Sequence, residues 1–380
     1  MPPRGQSATN FCRTLAAQLK SSATPTRSAP AWGWRITRVE LFRSDMYLSD
    51  TTLDDLMLRV FERLINSKNV IHPTRGEATE LTDVLLQLTN PRARLSRTET
   101  KGKLFSCLGE LFWYLAKTNN VKFISHYVSR YRDESDDGRV VHGGYGPRLF
   151  AMDGRHDQIQ NVITLLKKHQ DSRRAVIQLF DAADIDHSSP RHKEIPCTCS
   201  LQFMVRRKRL HMFTNMRSND AFIGLPHDVF VFTMLQEIVA RSLGLELGKY
   251  KHFAASLHLY KKDADGARHY LDEGWQPTAF CMPPMPLGDP WNSIKTAVHA
   301  ERAIRLRKKC DISEQKIDNY WKDILRLLEI FALSKNLDHK AIAQQKRKMS
   351  ARIYDIYIEP RRLATLKRAK DKNHEQLGLL

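Results

Sequence analysis

Acidic residues are missing from the first 39 positions of this 380-residue chain, which are rich in Arg, Ser, Ala and Pro. The composition is transit-like, yet no cleavage signal or secretory apolar stretch follows it. No apolar run approaches the ~18 residues a membrane-spanning helix needs, so no membrane span is expected. Cysteine is scarce too, with six at positions 12, 107, 197, 199, 281 and 310. Their scatter argues against a secreted disulfide scaffold and for a reduced, cytoplasmic chain. Cys197-Thr198-Cys199 has no second ligand pair, so no metal site is expected. No ladder of aromatic and basic residues marks a single-strand groove, which leaves nucleic acid as the less favoured partner.

What the chain has is positive charge: 61 Lys and Arg against 42 Asp and Glu, for a net +19. Such a surface favours anionic partners, nucleotides and phosphates first. Hydrophobic residues make up 42 %, enough for one large domain or two ordinary ones. "MYLSDTTLDDLMLRVFERLI" from Met46 looks like the more natural start. Ser49 or Asp50 would cap a helix there, with Leu53, Leu56, Val60 and Leu64 along one face. Residues 1–45 are then expected to be a disordered basic leader.

Periodicity predicts helices over 103–118 and 157–169, and another over 228–244 that ends at Gly244. Short β-branched and alternating runs predict a strand at 174–180, two strands around a basic turn in 200–218, and a strand at 252–260. From 293 onward the chain is charged and helical, around Trp321, Leu325, Leu327, Leu328, Ile330 and Phe331. The class is α+β, with a catalytic domain at 46–290 and a basic helical extension at 291–380.

Several residues have the chemistry of a nucleotide enzyme. Cys197 is a candidate nucleophile. Arg173 and Arg174 stand at the mouth of a strand, and Arg217-Ser218 ends another, ahead of Asn219-Asp220 and a Gly-Leu-Pro turn. Guanidinium forks suit phosphate oxygens. A guanidinium beside a cysteine is also expected to lower its pKa and hold it as thiolate.

The segments "GELFWYL", "DQIQ…DSRRAVIQ", "PC…QF", "RSND…GLP" and "HLY" stand in an order and spacing that resembles the thymidylate synthase superfamily, over roughly residues 50–285. The resemblance implies a three-layer α/β domain with a twisted mixed sheet, paired as a homodimer through a sheet face. It implies that Cys197 adds to carbon 6 of a pyrimidine nucleoside monophosphate. Carbon 5 is thereby activated toward 5,10-methylene-tetrahydrofolate. Arg217 and Ser218 of one subunit, and Arg173 and Arg174 of the other, would hold the phosphate, with Arg75 as a loop arginine. Asp220 would hold folate. Glu110 would organise water and proton transfer, and Tyr145 would serve removal of the carbon 5 proton. His258 and Tyr260 would bind the sugar hydroxyl, and Gln202 would order the pocket. Cys199, on the same strand phase as Cys197, is assigned a structural role.

Departures from the family pattern refine the expectation. Uracil-acting members carry asparagine where this chain has Asp228, in "GLPHDV". An amide matches the carbonyl and N–H of uracil. A carboxyl accepts from the amino group of cytosine and, when protonated, donates to its ring nitrogen. The deoxycytidylate hydroxymethylase branch shares this exchange. Glu194 replaces a leucine that walls off the reactive methylene, and the usual tryptophan is absent from "YRDES", where Tyr131 or Arg132 aligns. A polar wall would admit water, give a hydroxymethyl product and leave tetrahydrofolate, with Glu194 orienting or deprotonating that water. Thr198 replaces a histidine, His227 is positioned to bond the base or Asp228, and Ser256 replaces an aspartate. The leading expectation is (d)CMP 5-hydroxymethylation. The alternatives are a thymidylate synthase acting on dUMP, or a non-catalytic nucleotide- or nucleic-acid-binding protein.

Overall fold

The described residues begin with a strand, not a helix cap. In the computed structural model, which describes residues 46–98, 103–186, 188 and 192–377 with side chains through Asp371, Ser49 and Asp50 lie in β1 (Tyr47–Asp50). Thr52 caps α1 (Leu53–Asn66) by accepting the Asp55 N–H at 3.1 Å. The expectation for Ser49 or Asp50 is corrected accordingly: both are committed to a ladder, opposite Gln87 and Leu88. The leader at 1–45 lies outside the described residues.

The chain then runs through β2 (Val70–Ile71), β3 (Ala78–Leu88), α2 (Leu104–Leu115), α3 (Val121–Tyr127), α4 (Tyr145–Phe150) and α5 (Gln158–Lys168). Next come β4 (Val176–Gln178), β5 (Thr198–Arg206), β6 (Arg209–Met216), β7 (Asn219–Asp220), α6 (Gly224–Ser242), β8 (Glu246–Tyr260) and α7 (Ala264–Asp272). The C-terminal quarter is α8 (Trp291–Arg305), α9 (Asn319–Lys335), α10 (His339–Arg347) and α11 (Asp355–Leu377). No helix among the described residues is long and apolar enough to cross a membrane.

An open, twisted mixed sheet organises these elements into an α+β fold. Its strand order is β1-β3-β8-β6-β5-β4, with β2 on β3 and β7 on β8. The basic turn of the β5–β6 hairpin is Arg207-Lys208, both at positive φ (51° and 58°), a backbone whose twist suits a tight hairpin. One sheet face buries Leu201, Phe203, Leu210, Met212, Tyr250 and Ala254, and α6 packs against its β6 and β8 strands. Val176, Gln202, Met204, His211 and Phe213, on the opposite phase, remain partly exposed. Gly244, at φ +66°, turns the chain out of α6, a conformation that costs glycine no Cβ clash.

The C-terminal helices share the one hydrophobic core, and Asp45–Leu380 form a single compact unit. Phe331 of α9 stacks on Phe105 of α2 at 6.2 Å and leans on Tyr127 at 5.3 Å. Tyr127 donates to Glu301 of α8 at 2.7 Å, and Tyr357 of α11 donates to the Ser96 carbonyl at 2.7 Å. Phe331→Ala is therefore expected to cost about 3–5 kcal/mol of the whole unit's stability, as for other core Phe truncations. Urea unfolding followed by fluorescence and by circular dichroism checks this; an unchanged midpoint would contradict it.

Candidate active site

A cavity of about 380 Å3 opens where the C-terminal end of β8, the strand β7, the start of α6 and the segment before β5 converge. That volume suits a small organic ligand. Of the residues singled out from sequence, Cys197, Glu110, Tyr145, Asp228 and Glu194 line it. So do Arg75, Arg217, Ser218, Asp220, His258 and Tyr260. Arg173 and Arg174 are exposed and lie outside this wall. Gln202 does not reach the cavity either: its Nε2 donates to the Arg173 carbonyl at 3.0 Å, so within this chain it orders the arginine pair's backbone, not the pocket.

Cys197 directly precedes β5. Arg217 clamps the peptide before it, donating from Nε to the Pro196 carbonyl at 2.9 Å and from Nη2 to the Ile195 carbonyl at 3.3 Å. The same Nη2 stands 3.8 Å from the Cys197 sulfur. The thiolate expectation is nevertheless overturned. Burial and the neighbouring Glu194 carboxylate push the thiol up to about 12, outweighing Arg217 and Arg75. The protein's own groups hold Cys197 as a neutral thiol. The shared phase expected for Cys197 and Cys199 is also lost, because the ladder slips between Thr198 and Ser200.

Tyr145, at the start of α4, is locked beside Cys197. Its hydroxyl donates to Thr198 Oγ1 and accepts the Thr198 N–H, both at 3.0 Å. Asp220 Oδ1 accepts the N–H groups of Phe222 and Ile223 at 2.8 and 3.0 Å, which fixes its carboxylate on the wall. His258 and Tyr260 alternate along β8 and meet edge to face at 4.9 Å. Ser256 donates to Glu80 at 2.5 Å.

Two buried carboxyls take opposite protonation states. Glu110 accepts from Tyr114 (3.0 Å), Tyr131 (2.8 Å) and His227 Nδ1 (2.8 Å). Burial favours its neutral form, but those bonds and the imidazolium outweigh it and keep Glu110 below the usual carboxylate range. Burial likewise opposes a charge on His227, yet Cys107 and Glu110 beside it raise the imidazole to about 10. His227 thus pairs with Glu110, and through Nε2 with Ser106 at 3.1 Å, and not with Asp228, one of the two partners expected for it. Asp228 has no cation of its own. Burial and the Glu110 charge push it up to about 8, against the Asn219 amide, which donates to Oδ2 at 2.7 Å.

Glu134, also on the wall, carried no motif that would have flagged it. Arg75 Nη2 is held at 2.5 Å by Glu134 and at 3.2 Å by Glu194. Burial and Glu134 raise the Glu194 carboxyl above its ordinary value despite Arg75. Tyr131 packs against Trp113 at 5.2 Å with the rings tilted by 56°, and the Trp113 indole N–H, although buried, has no hydrogen-bond partner among the described residues. That orphaned donor on the cavity wall fits a heterocyclic ligand with acceptor atoms.

The sequence pattern of the family described as "Thymidylate synthase" matches residues 87–297. A protein named "Deoxyuridylate hydroxymethyltransferase" from Delftia phage PhiW-14 is 33 % identical over 210 residues, which cover 52 % of this chain and 57 % of the relative. One of the same name from Pseudomonas phage M6 is 36 % identical over 161 residues, covering 42 % and 45 % respectively. The chain thus spans about half the length of the curated relatives it matches.

Iodoacetamide alkylation of Cys197, followed against pH, is expected to show an apparent pKa well above the ordinary ~8.5 of a thiol. Glu194→Gln removes the adjacent negative charge and lowers that midpoint, whereas Arg217→Gln raises it further. A midpoint below the ordinary value, or one that Glu194→Gln leaves in place, would contradict this picture.

Proposed function

This chain belongs to the thymidylate synthase family, and on that premise we propose that it is a deoxycytidylate 5-hydroxymethyltransferase using 5,10-methylene-tetrahydrofolate. The observation that carries the reading of the base is Asp228, a buried carboxyl that stays protonated to about pH 8. In that state it offers one donor and one acceptor, which match the ring nitrogen and amino group of cytosine when the proton sits on the oxygen facing that nitrogen. A mismatch at a buried site leaves polar groups unpaired, at ~1–3 kcal/mol each.

The roles are those that the family resemblance implies. Arg217, Ser218 and Arg75 face the phosphate, with Arg173 and Arg174 reaching it from the other subunit of a homodimer. His258 and Tyr260 take the sugar hydroxyl. Cys197 passes its proton, by way of water, to the neighbouring Glu194 carboxylate as sulfur bonds to carbon 6, and the ring electrons shift to carbon 5, which becomes a nucleophile. Asp220 and the free indole N–H of Trp113 would hold the folate, which supplies the one-carbon unit when bound. Tyr145, held by Thr198, orients the water that takes the carbon 5 proton. Glu194 then directs water onto the exocyclic methylene, and sulfur leaves carbon 6. The product is a hydroxymethyl group, with no hydride drawn from tetrahydrofolate.

A second reading keeps the chemistry and changes the base to uracil. It is favoured by the printed names of the two phage relatives. Tritium release from carbon 5 of dCMP and dUMP, with methylene-tetrahydrofolate, separates the readings. The expected result is release from dCMP, abolished by Cys197→Ala, with tetrahydrofolate as co-product. Release from dUMP alone would move the assignment to uracil, and dihydrofolate would mark a methylating synthase. Apparent affinity for dCMP is expected to fall as pH rises through about 8, where Asp228 loses the proton it donates. Asp228→Asn should shift preference toward dUMP by roughly 10- to 100-fold.

A further inference from the structure

The carboxyl of Asp228 raises a problem of chemistry. Cytosine and uracil present mirror-image edges: amino donor and ring acceptor in one, carbonyl acceptor and N–H donor in the other. A neutral carboxyl group can satisfy either edge by moving its proton from one oxygen to the other. Taken alone it reads a pyrimidine without telling the two apart.

We propose that Asn219 is the specificity-determining residue beside it: its amide dictates which oxygen of the Asp228 carboxyl carries the proton, and so which base the carboxyl pairs with. The inference rests on the reading of Asp228 as a base-recognising group, not on which base it prefers. Asn219 Nδ2 donates to Asp228 Oδ2 at 2.7 Å. A hydroxyl oxygen of a carboxylic acid is a poor acceptor compared with its carbonyl oxygen. An amide fixed on Oδ2 therefore confines the proton to Oδ1.

The amide is itself fixed. Asn219 Oδ1 faces His252 Nε2 at 3.0 Å, and His252 Nδ1 faces the Tyr250 hydroxyl at 2.9 Å. His252 is fully buried, and burial keeps the imidazole neutral, pulling it down to about 3. A neutral imidazole has one donor and one acceptor. Tyr250 O–H donates to Nδ1, Nε2–H donates to Asn219 Oδ1, and Asn219 Nδ2 donates to Asp228. With His252 in that tautomer, turning the amide over would set its N–H groups against Nε2–H. The backbone makes room for this pair as well. A Cβ on Gly224, the first residue of α6, would lie 2.9 Å from Asn219 Nδ2 and 3.5 Å from Asp228 Oδ2. The register of β7 on β8, Asn219 opposite Leu257, holds the amide at this depth.

Calorimetric dissociation constants of the full chain for dCMP and dUMP test the assignment without requiring turnover. Wild type is expected to separate the two nucleotides, and Asn219→Ala to bring their ratio to within about 3-fold of unity while binding of both persists. Gly224→Ala leaves every polar group in place but displaces the amide. It should erode the ratio in the same direction, and it serves if Asn219→Ala does not fold. A wild type that prefers dUMP would defeat the cytosine reading and leave this inference standing, provided the preference collapses in the variants. A ratio that both variants leave intact, with affinity for both bases falling equally, would reduce Asn219 to a structural role. A wild type that binds both nucleotides equally, or neither, would overturn the inference itself.

Discussion

A carboxyl group set into a protein wall must either find a cation or keep its proton, and the wall of this cavity holds one of each. Glu110 has the His227 imidazolium at 2.8 Å and stays ionised. Asp228, the next residue after that histidine, has an amide instead, and it feels the Glu110 charge as a further reason to stay neutral. Two titratable groups driven apart by their surroundings are how one pocket assigns separate acid and base tasks. Everything proposed about base recognition depends on this division.

The fold makes the division possible by bringing one helix end to the middle of another. The first turns of α6 carry both His227 and Asp228. The α2 helix presents Glu110 to the first, while β7 presents Asn219 to the second. The cavity floor is therefore rigid: α6 runs behind the sheet, and α2 is backed by Phe331 of α9. The C-terminal helices support the site from behind and share its core. On the open side the contacts are of another kind. Arg75, Glu134 and Glu194 form a partly exposed charge cluster, suited to exchange partners when an anionic ligand arrives.

Local features were legible from the chain alone. The 228–244 run, the basic hairpin turn and the Asp157-capped helix all declare themselves within a few residues. So does the exchange at Asp228, a single letter inside a tight motif. The strand β3 escaped because Asp83, at φ 56°, breaks its alternation. Pairings between distant segments escaped for a plainer reason. His227 meets Glu110 across 117 positions, and Arg75 meets Glu134 and Glu194 across 59 and 119. Arg217 beside Cys197 suggested a thiolate, but the balance between one guanidinium, one carboxylate and burial is set only in three dimensions. Asn219 looked like part of a motif; its relay to His252 and Tyr250 appears only once β7 lies on β8.

The central claim is that Asp228 keeps its proton near neutral pH. Titration of 13C-labelled aspartate carboxyls by NMR, with Asp228→Asn to assign the signal, measures this directly. The account predicts a midpoint near 8 for Asp228, one that moves upward when Asn219→Ala removes the hydrogen bond to its ionised form. A midpoint near the ordinary ~3.9 of an aspartate would contradict it.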